Sequence, residues 1–414
     1  MTVQIFRYIR VFFILILLFS LGLILVDLFP NDYLEPQYSK SINQLESEEV
    51  YPNYLFSTDA AIMDNFTDMI MIKACRISDA YTNSIQAAFG NNGYPRYWNG
   101  YLLFLRPTLS QFTYQQIRYI NMFVLILCFC VCFSGIHRKI NIAAAIGFAV
   151  SIIACFFVFI GESLQYFSVF ILLFLVLIMI LYNPKFQVLE NSALLLFAAG
   201  MMTNFFDMLT APLLTLGIPL ILILCLSAKN SESVSMSKQF SSIFTHSIAW
   251  CFGYAFCWIA KWTLGTLVLN ENIFADALKT GQLRTFGSES FPIDRLLMYK
   301  LNIETYYFSK GHKPFVFIIA AITILIIFLF KYHIKNNIKK IIIPVLFIGI
   351  YPYIWFFVFA NHSQQHYFYT YRIQAITLFA VFAALSSSID FDRFLSEIID
   401  NKKNQDVFLK SDNC

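Results

Sequence analysis

Three aspartates, Asp59, Asp64 and Asp68, stand in the segment Ser57–Asp79, STDAAIMDNFTDMIMIKACRISD, just beyond a hydrophobic N-terminal run. A positioned carboxylate can take a proton from an acceptor hydroxyl, and a pair can hold a divalent cation. Asp64 and Asp68 are four residues apart, so on a helix they share one face, with Lys73 and Arg76 a turn or two further on. The plainer alternative is structural. Asp64 would then be an N-cap accepting from the backbone N–H of Thr67, and Asp68 a solvated helix residue.

Other polar residues collect at matching places along the chain. Glu162 sits in a short turn between two apolar runs, and Asn204 and Asp207 close another. Lys261 lies toward the end of a third, and the turn NHSQQHYFYTYR carries His362, His366 and Arg372. Ionisable groups at span ends that face a bundle interior are commonly functional. Each taken singly also fits a snorkelling or turn residue. His362 and His366 have the i, i+4 spacing of helix-borne metal ligands, but no Glu completes an H-E-x-x-H pattern. Hydrogen-bonding roles therefore rank ahead of metal ligation. Arg96, Arg106, Arg118 and Arg372 fall at apolar boundaries, and arginine forks onto phosphate oxygens. Tyr97, Trp98, Tyr101, Tyr367, Tyr369 and Tyr371 are the rings of an interface belt, with capacity to stack on sugars.

These residues hang on an apolar frame. The 414-residue chain is 58% hydrophobic and 13% charged, against about 25% charged in a soluble domain, so it reads as an all-α polytopic membrane protein. Ten spans are expected: Phe12–Phe29, then 117–136, 141–160, 165–182, 191–208, 211–227, 242–262, 314–331, 341–360 and 373–390. The first lacks a small-residue cleavage site and is expected to stay as an anchor. Arg7, Arg10, Arg138, Lys139, Lys185, Lys229, Lys238, Lys331, Lys335, Lys339 and Lys340 then all fall on one side, as the positive-inside rule requires. Both termini are expected to be cytoplasmic. Residues 1–390 form one transmembrane domain with long outer loops 30–117 and 270–313, and 391–414 a short cytoplasmic tail. The stretch Asp64–Ala88 has helical spacing and is expected on the membrane surface or under another loop.

The composition also excludes. The net charge of +4 comes with no basic stripe, so no nucleic-acid partner is expected. Seven of the nine cysteines lie in apolar runs and no external pair exists, so no disulfide framework is expected. There is no Gly-rich phosphate loop and no nucleophile elbow, which argues against an ATP-driven pump. Few Gly and Pro with much Ile, Phe, Lys and Asn fits an AT-rich bacterial genome, hence a bacterial cytoplasmic membrane.

An N-terminal span, a long outer loop with an acidic motif opening an amphipathic helix, then many spans, resembles the GT-C class of membrane glycosyltransferases. The segment that carries the resemblance is Asp64-Asn-Phe-Thr-Asp68 followed by Met69–Ala74. The adjacent Asp-Glu pair of that class is absent. The resemblance implies transfer of a sugar from a polyprenyl-phosphate donor to a cell-envelope acceptor at the outer face. Asp64 would be the base and Asp68 second to it. Arg96, Arg106, Lys261, His362, His366, Arg372, Glu162 and Asp207 would be candidates for holding the lipid phosphate and sugar, with a divalent cation as the one cofactor to consider. Two alternatives stand beside it: a transporter or flippase of a lipid-linked or anionic solute, and a non-catalytic membrane subunit. Span centres nearly free of charge, with no internal repeat, count against the transporter.

Overall fold

The computed structural model describes residues 2–53, 58–90, 93–230, 235–309 and 339–388. Among the described residues the regular structure is helical, apart from isolated antiparallel bridges at Asn53–Ile62 and Ser288–Phe291. In chain order the main helices are α1 (Thr2–Asp27), α2 (Glu35–Ser47), α3 (Asn65–Ala74), α4 (Ser84–Gly90) and α5 (Leu102–Leu109). They continue as α6 (Tyr114–Lys139), α7 (Ile142–Ile153), α8 (Phe157–Ile160), α9 (Leu164–Tyr182), α10 (Leu189–Phe206) and α11 (Leu214–Asn230). Then come α12 (Met236–Leu269), α13 (Ile273–Phe286), α14 (Arg295–Ile303), α15 (Lys339–Ile348), α16 (Tyr351–Val358), α17 (Ala360–Gln365), α18 (Tyr367–Thr370) and α19 (Ala375–Ser388).

Among the described residues six helical stretches are long and apolar enough to cross a membrane: Gln4–Asp27, Tyr114–Lys139, Leu164–Tyr182, Met236–Leu269, Lys340–Val358 and Tyr367–Ser387. Three more of the expected spans are shorter helices, Ile142–Ile153, Asn191–Phe206 and Leu214–Lys229. The tenth, 314–331, and the tail lie outside the described residues. The shortening has local causes. Phe156 takes a left-handed backbone, φ +55°, which ends α7 and separates it from α8. Asp207 leaves the helical region and closes α10. The lipid-facing surface is marked by exposed Phe6, Phe13, Leu25, Phe123, Leu127 and Phe252.

Two hydrogen bonds tie the positively charged loops to one end of the bundle. Arg7 donates to Asn191 at 2.7 Å, joining the start of α1 to the start of α10, and Lys229 donates to the Ile140 carbonyl at 3.0 Å. Helix α12, 34 residues and so about 50 Å long, outruns a hydrocarbon core of about 30 Å. Its far turns carry Trp258, Trp262 and the connection into α13.

α10 and α12 pack closely through facing glycines. A Cβ on Gly253 would fall 2.1 Å from the Phe197 carbonyl oxygen, and one on Gly200 2.3 Å from that of Trp250. Both are backbone atoms, so the helices must part to admit a methyl group. Gly253→Ala is therefore expected to destabilise the fold by about 1–3 kcal/mol, as overpacking does. Thermal unfolding in detergent checks this, and an unchanged transition would contradict it.

Candidate functional site

The site is built where the segment between α1 and α6 meets the segment after α16. The Asp59–Ala61 turn lies along Tyr367–Arg372. The Tyr367 hydroxyl donates to Asp59 at 3.2 Å, the Tyr371 hydroxyl to the Ala60 carbonyl at 2.9 Å, and the Tyr51 and Phe368 rings pack at 5.5 Å. Asp59 remains exposed.

Asp64 caps α3. It accepts from the Thr67 N–H at 3.0 Å and the Thr67 hydroxyl at 2.8 Å, and it is only 3% exposed. The capping reading thus holds for Asp64, and it does not remove the carboxyl from chemistry. Burial, with a smaller push from Asp68, outweighs the Thr67 bonds and raises its pKa from 3.8 to about 6. A base near neutrality is well matched to taking a hydroxyl proton.

Two consequences are measurable. A base must be ionised, so turnover should rise with pH through about 6. Stability should move the other way. A carboxyl whose pKa is raised on folding stabilises the fold in its protonated form. That contribution is full below 3.8 and lost as pH rises through about 6. Melting of wild type and Asp64→Asn across pH 4 to 7 should separate the two effects, since only the wild type carries this dependence.

Asp68 is not solvated. It is fully buried and accepts from the Tyr114 hydroxyl at 2.6 Å, the Ser163 hydroxyl at 3.1 Å, and the N–H groups of Leu164 and Gln165 at 2.9 and 3.0 Å. It satisfies the first N–H groups of α9 from outside that helix. Burial raises its pKa, against the pull of these donors. Beside it Arg118 forks onto Glu48 with two bonds of 2.9 Å, meets the Tyr114 hydroxyl at 2.9 Å, and donates to the Glu162 carbonyl at 2.8 Å. Burial alone would raise the Glu48 carboxyl, but hydrogen bonds from Arg118, Gln44 and Asn65 bring it below the usual value. The Glu162 carboxylate stands 3.8 Å from Arg118, and burial holds its pKa up. This node fastens α2, α3, α6 and α9 together. It also occupies the Asn65 side-chain amide, which donates to Glu48 at 2.9 Å.

Three further expected phosphate holders are occupied elsewhere. Arg106 donates to the carbonyls of Phe29 and Cys75, joining the end of α1 to the end of α3. Lys261 is fully buried, donates to the Phe89 carbonyl at 2.8 Å, and faces the Phe89 and Trp98 rings. Arg372 is fully buried, donates to the carbonyls of Cys155 and Phe368, both at 3.1 Å, and stacks 4.1 Å from the Tyr166 ring. All three donate to backbone carbonyls, and Lys261 and Arg372 also face rings.

What does come together is Tyr369, His366, His362 and Arg284. The Tyr369 ring is stacked on His366 at 5.1 Å, lies 6.2 Å from Tyr166, and is within electrostatic reach of both Asp64 and Arg284. Arg284, on α13, donates to His362 Nδ1. A guanidinium only donates, so Nδ1 accepts, and the proton sits on Nε2, which donates to the Leu209 carbonyl at 2.9 Å. Both ring nitrogens of His362 are therefore engaged. Burial, then the Arg284 charge, hold His362 well below its ordinary pKa and His366 down at about 4, so both are neutral. Among the described residues no cluster of metal-ligating side chains forms. Leu209 is itself in a left-handed conformation, φ +67°, in a turn braced by Asp207, whose carboxylate accepts from the Thr210 N–H at 3.0 and 3.2 Å.

A cavity of about 280 Å³ opens here, lined by Arg96, Tyr97, Leu209, Trp258, Trp262 and Arg284 among others. Trp258 and Trp262 are near parallel at 5.6 Å. Arg96 is paired with half-exposed Asp276 at 2.9 Å. Arg284 is different. Among the described residues no carboxylate pairs with it, and its Nε is buried without a partner, as is that of Arg96. A partly buried guanidinium facing neutral histidines and aromatic walls is suited to an anion. Arg284 escaped the sequence reading because lysines and arginines in a long outer loop look like solvated charge. Trp258 and Trp262 escaped it because they lie inside an apolar span.

Comparison with protein-family models, with curated proteins and with solved structures gave no match.

Proposed function

We propose that the protein is a membrane glycosyltransferase, GT-C-like in organisation, that moves a sugar from a polyprenyl-phosphate donor to a cell-envelope acceptor at the outer face. The observation that carries this reading is the Arg284 guanidinium, which has no carboxylate partner among the described residues and is set with Arg96 in an aromatic cavity. Arg284 and Arg96 hold the donor phosphate through their free Nε–H groups and stabilise the charge that grows on it as the sugar departs. Trp258 and Trp262 offer faces for a sugar ring. Asp64 takes the acceptor hydroxyl proton, while Asp68 positions α3 from below. The lysine and arginine loops gathered at one bundle end support cytoplasmic termini, with the cavity opposite. Among the described residues no cluster of metal-ligating side chains forms, and the arginines take the role of countering the phosphate.

Arg284→Gln tests the reading directly. Native mass spectrometry of detergent-purified protein should show a retained polyprenyl phosphate, or its sugar ester, in the wild type. The variant should lose it by about tenfold or more, the scale of one charge-assisted pair. Equal retention in both would remove the phosphate assignment.

A further inference from the structure

A second cavity lies on the far side of the Asp68 node, between α5, α6, α9 and α10. It measures about 350 Å³ and is open toward the hydrocarbon, where Phe104, Ile120 and Leu175 are exposed. No charged side chain lines it. Its polar residues are Tyr101, Thr108, Asn121 and Ser168. Thr108 and Ser168 return their hydroxyl protons to carbonyls of their own helices, Phe104 and Leu164. The Tyr101 hydroxyl and the Asn121 amide nitrogen have no partner, although their residues are only 5% and 7% exposed. Two buried donors left unmet are costly in an apolar setting. They call for an acceptor supplied by a ligand.

The placement narrows the ligand. Tyr101 immediately precedes α5, Asn121 stands two turns into α6, and both line the cavity. From Leu164 to Leu175 the α9 wall, apolar apart from the internally bonded Ser168, runs for about 16 Å, the reach of much of an acyl chain. With no cation in the lining, a phosphate group is not what the site holds. We infer that this cavity is a binding site for a bilayer glycerolipid, with an ester carbonyl accepting from Asn121 Nδ2 and the Tyr101 hydroxyl and an acyl chain lying along α9. The inference does not depend on the transferase reading, since none of these residues belongs to the Arg284 cavity.

The test compares two lipids that differ only in the carbonyls. Protein in nanodiscs holding equal amounts of diacyl and dialkyl phosphatidylglycerol of matched chain length is released into mild detergent, and tightly retained lipid is read by native mass spectrometry. The wild type should keep the ester lipid over the ether lipid by roughly tenfold, the effect of two ordinary hydrogen bonds. Asn121→Leu combined with Tyr101→Phe should bring the ratio to near one. A ratio near one in the wild type overturns the inference without reference to any variant. An unchanged ratio in a double variant that melts like the wild type also overturns it, as does preferential retention of an isoprenoid lipid added in equal amount.

Discussion

Cells whose only copy of the chain carries Asp64→Asn should lose the transferred envelope sugar, with the rate down by about two to four orders of magnitude, the usual weight of a general base. The fold should survive. Asparagine caps helices as well as aspartate does, and its Oδ1 can accept from the Thr67 N–H. The Thr67 hydroxyl, which now donates to the carboxylate, can turn to accept from the amide. Loss of activity with a preserved melting transition is therefore the expected pairing, read by mass spectrometry of the envelope glycan alongside thermal unfolding. Asp64→Ala, by contrast, removes the cap too and should cost about 1 kcal/mol in addition. Full activity in the asparagine variant would remove Asp64 from the mechanism.

Asp68→Ala should be the more damaging change for the fold. It leaves two hydroxyls and two backbone N–H groups buried without an acceptor, at the starts of α6 and α9. It also removes a negative neighbour of Arg118. Breaking a buried charged node of this kind costs about 3–5 kcal/mol, which in a chain of this size lowers the melting temperature by on the order of 10 °C. Asp59→Ala is the control, since Asp59 is exposed and makes one long bond to Tyr367. A melting point for Asp68→Ala equal to that of the control would mean that the node does not hold the loop. Asp68 would then return as a candidate base.

The contrast between Asp64 and Asp68 shows what was legible in the sequence. The capping role of Asp64 follows from its place before an apolar helical run, and the structure has that hydrogen bond. The burial of Asp68 was not legible, because its four donors come from Tyr114 and from Ser163–Gln165, roughly 46 to 97 positions away. The apolar runs show where helices lie, but a run does not tell how much of it stays helical. The left-handed Phe156 and the cap at Asp207 shorten two expected spans through backbone geometry that no residue type announced. The boundary arginines show the same limit. Arg106 and Arg372 look like phosphate ligands by type, yet carbonyls folded over them take most of their donors, leaving one nitrogen of each buried without a partner. Arg284 looks like a solvated loop charge, yet it faces His362 and the cavity.

The most direct test of the central claim is a cryo-electron microscopy map of the protein in nanodiscs doped with a polyprenyl-phosphate sugar. The account expects phosphate density within hydrogen-bonding distance of the Nε atoms of Arg284 and Arg96, with a sugar ring against Trp258 or Trp262 and its reacting carbon turned toward Asp64. A cavity without such density, with the added lipid bound on another face of the bundle, would contradict it.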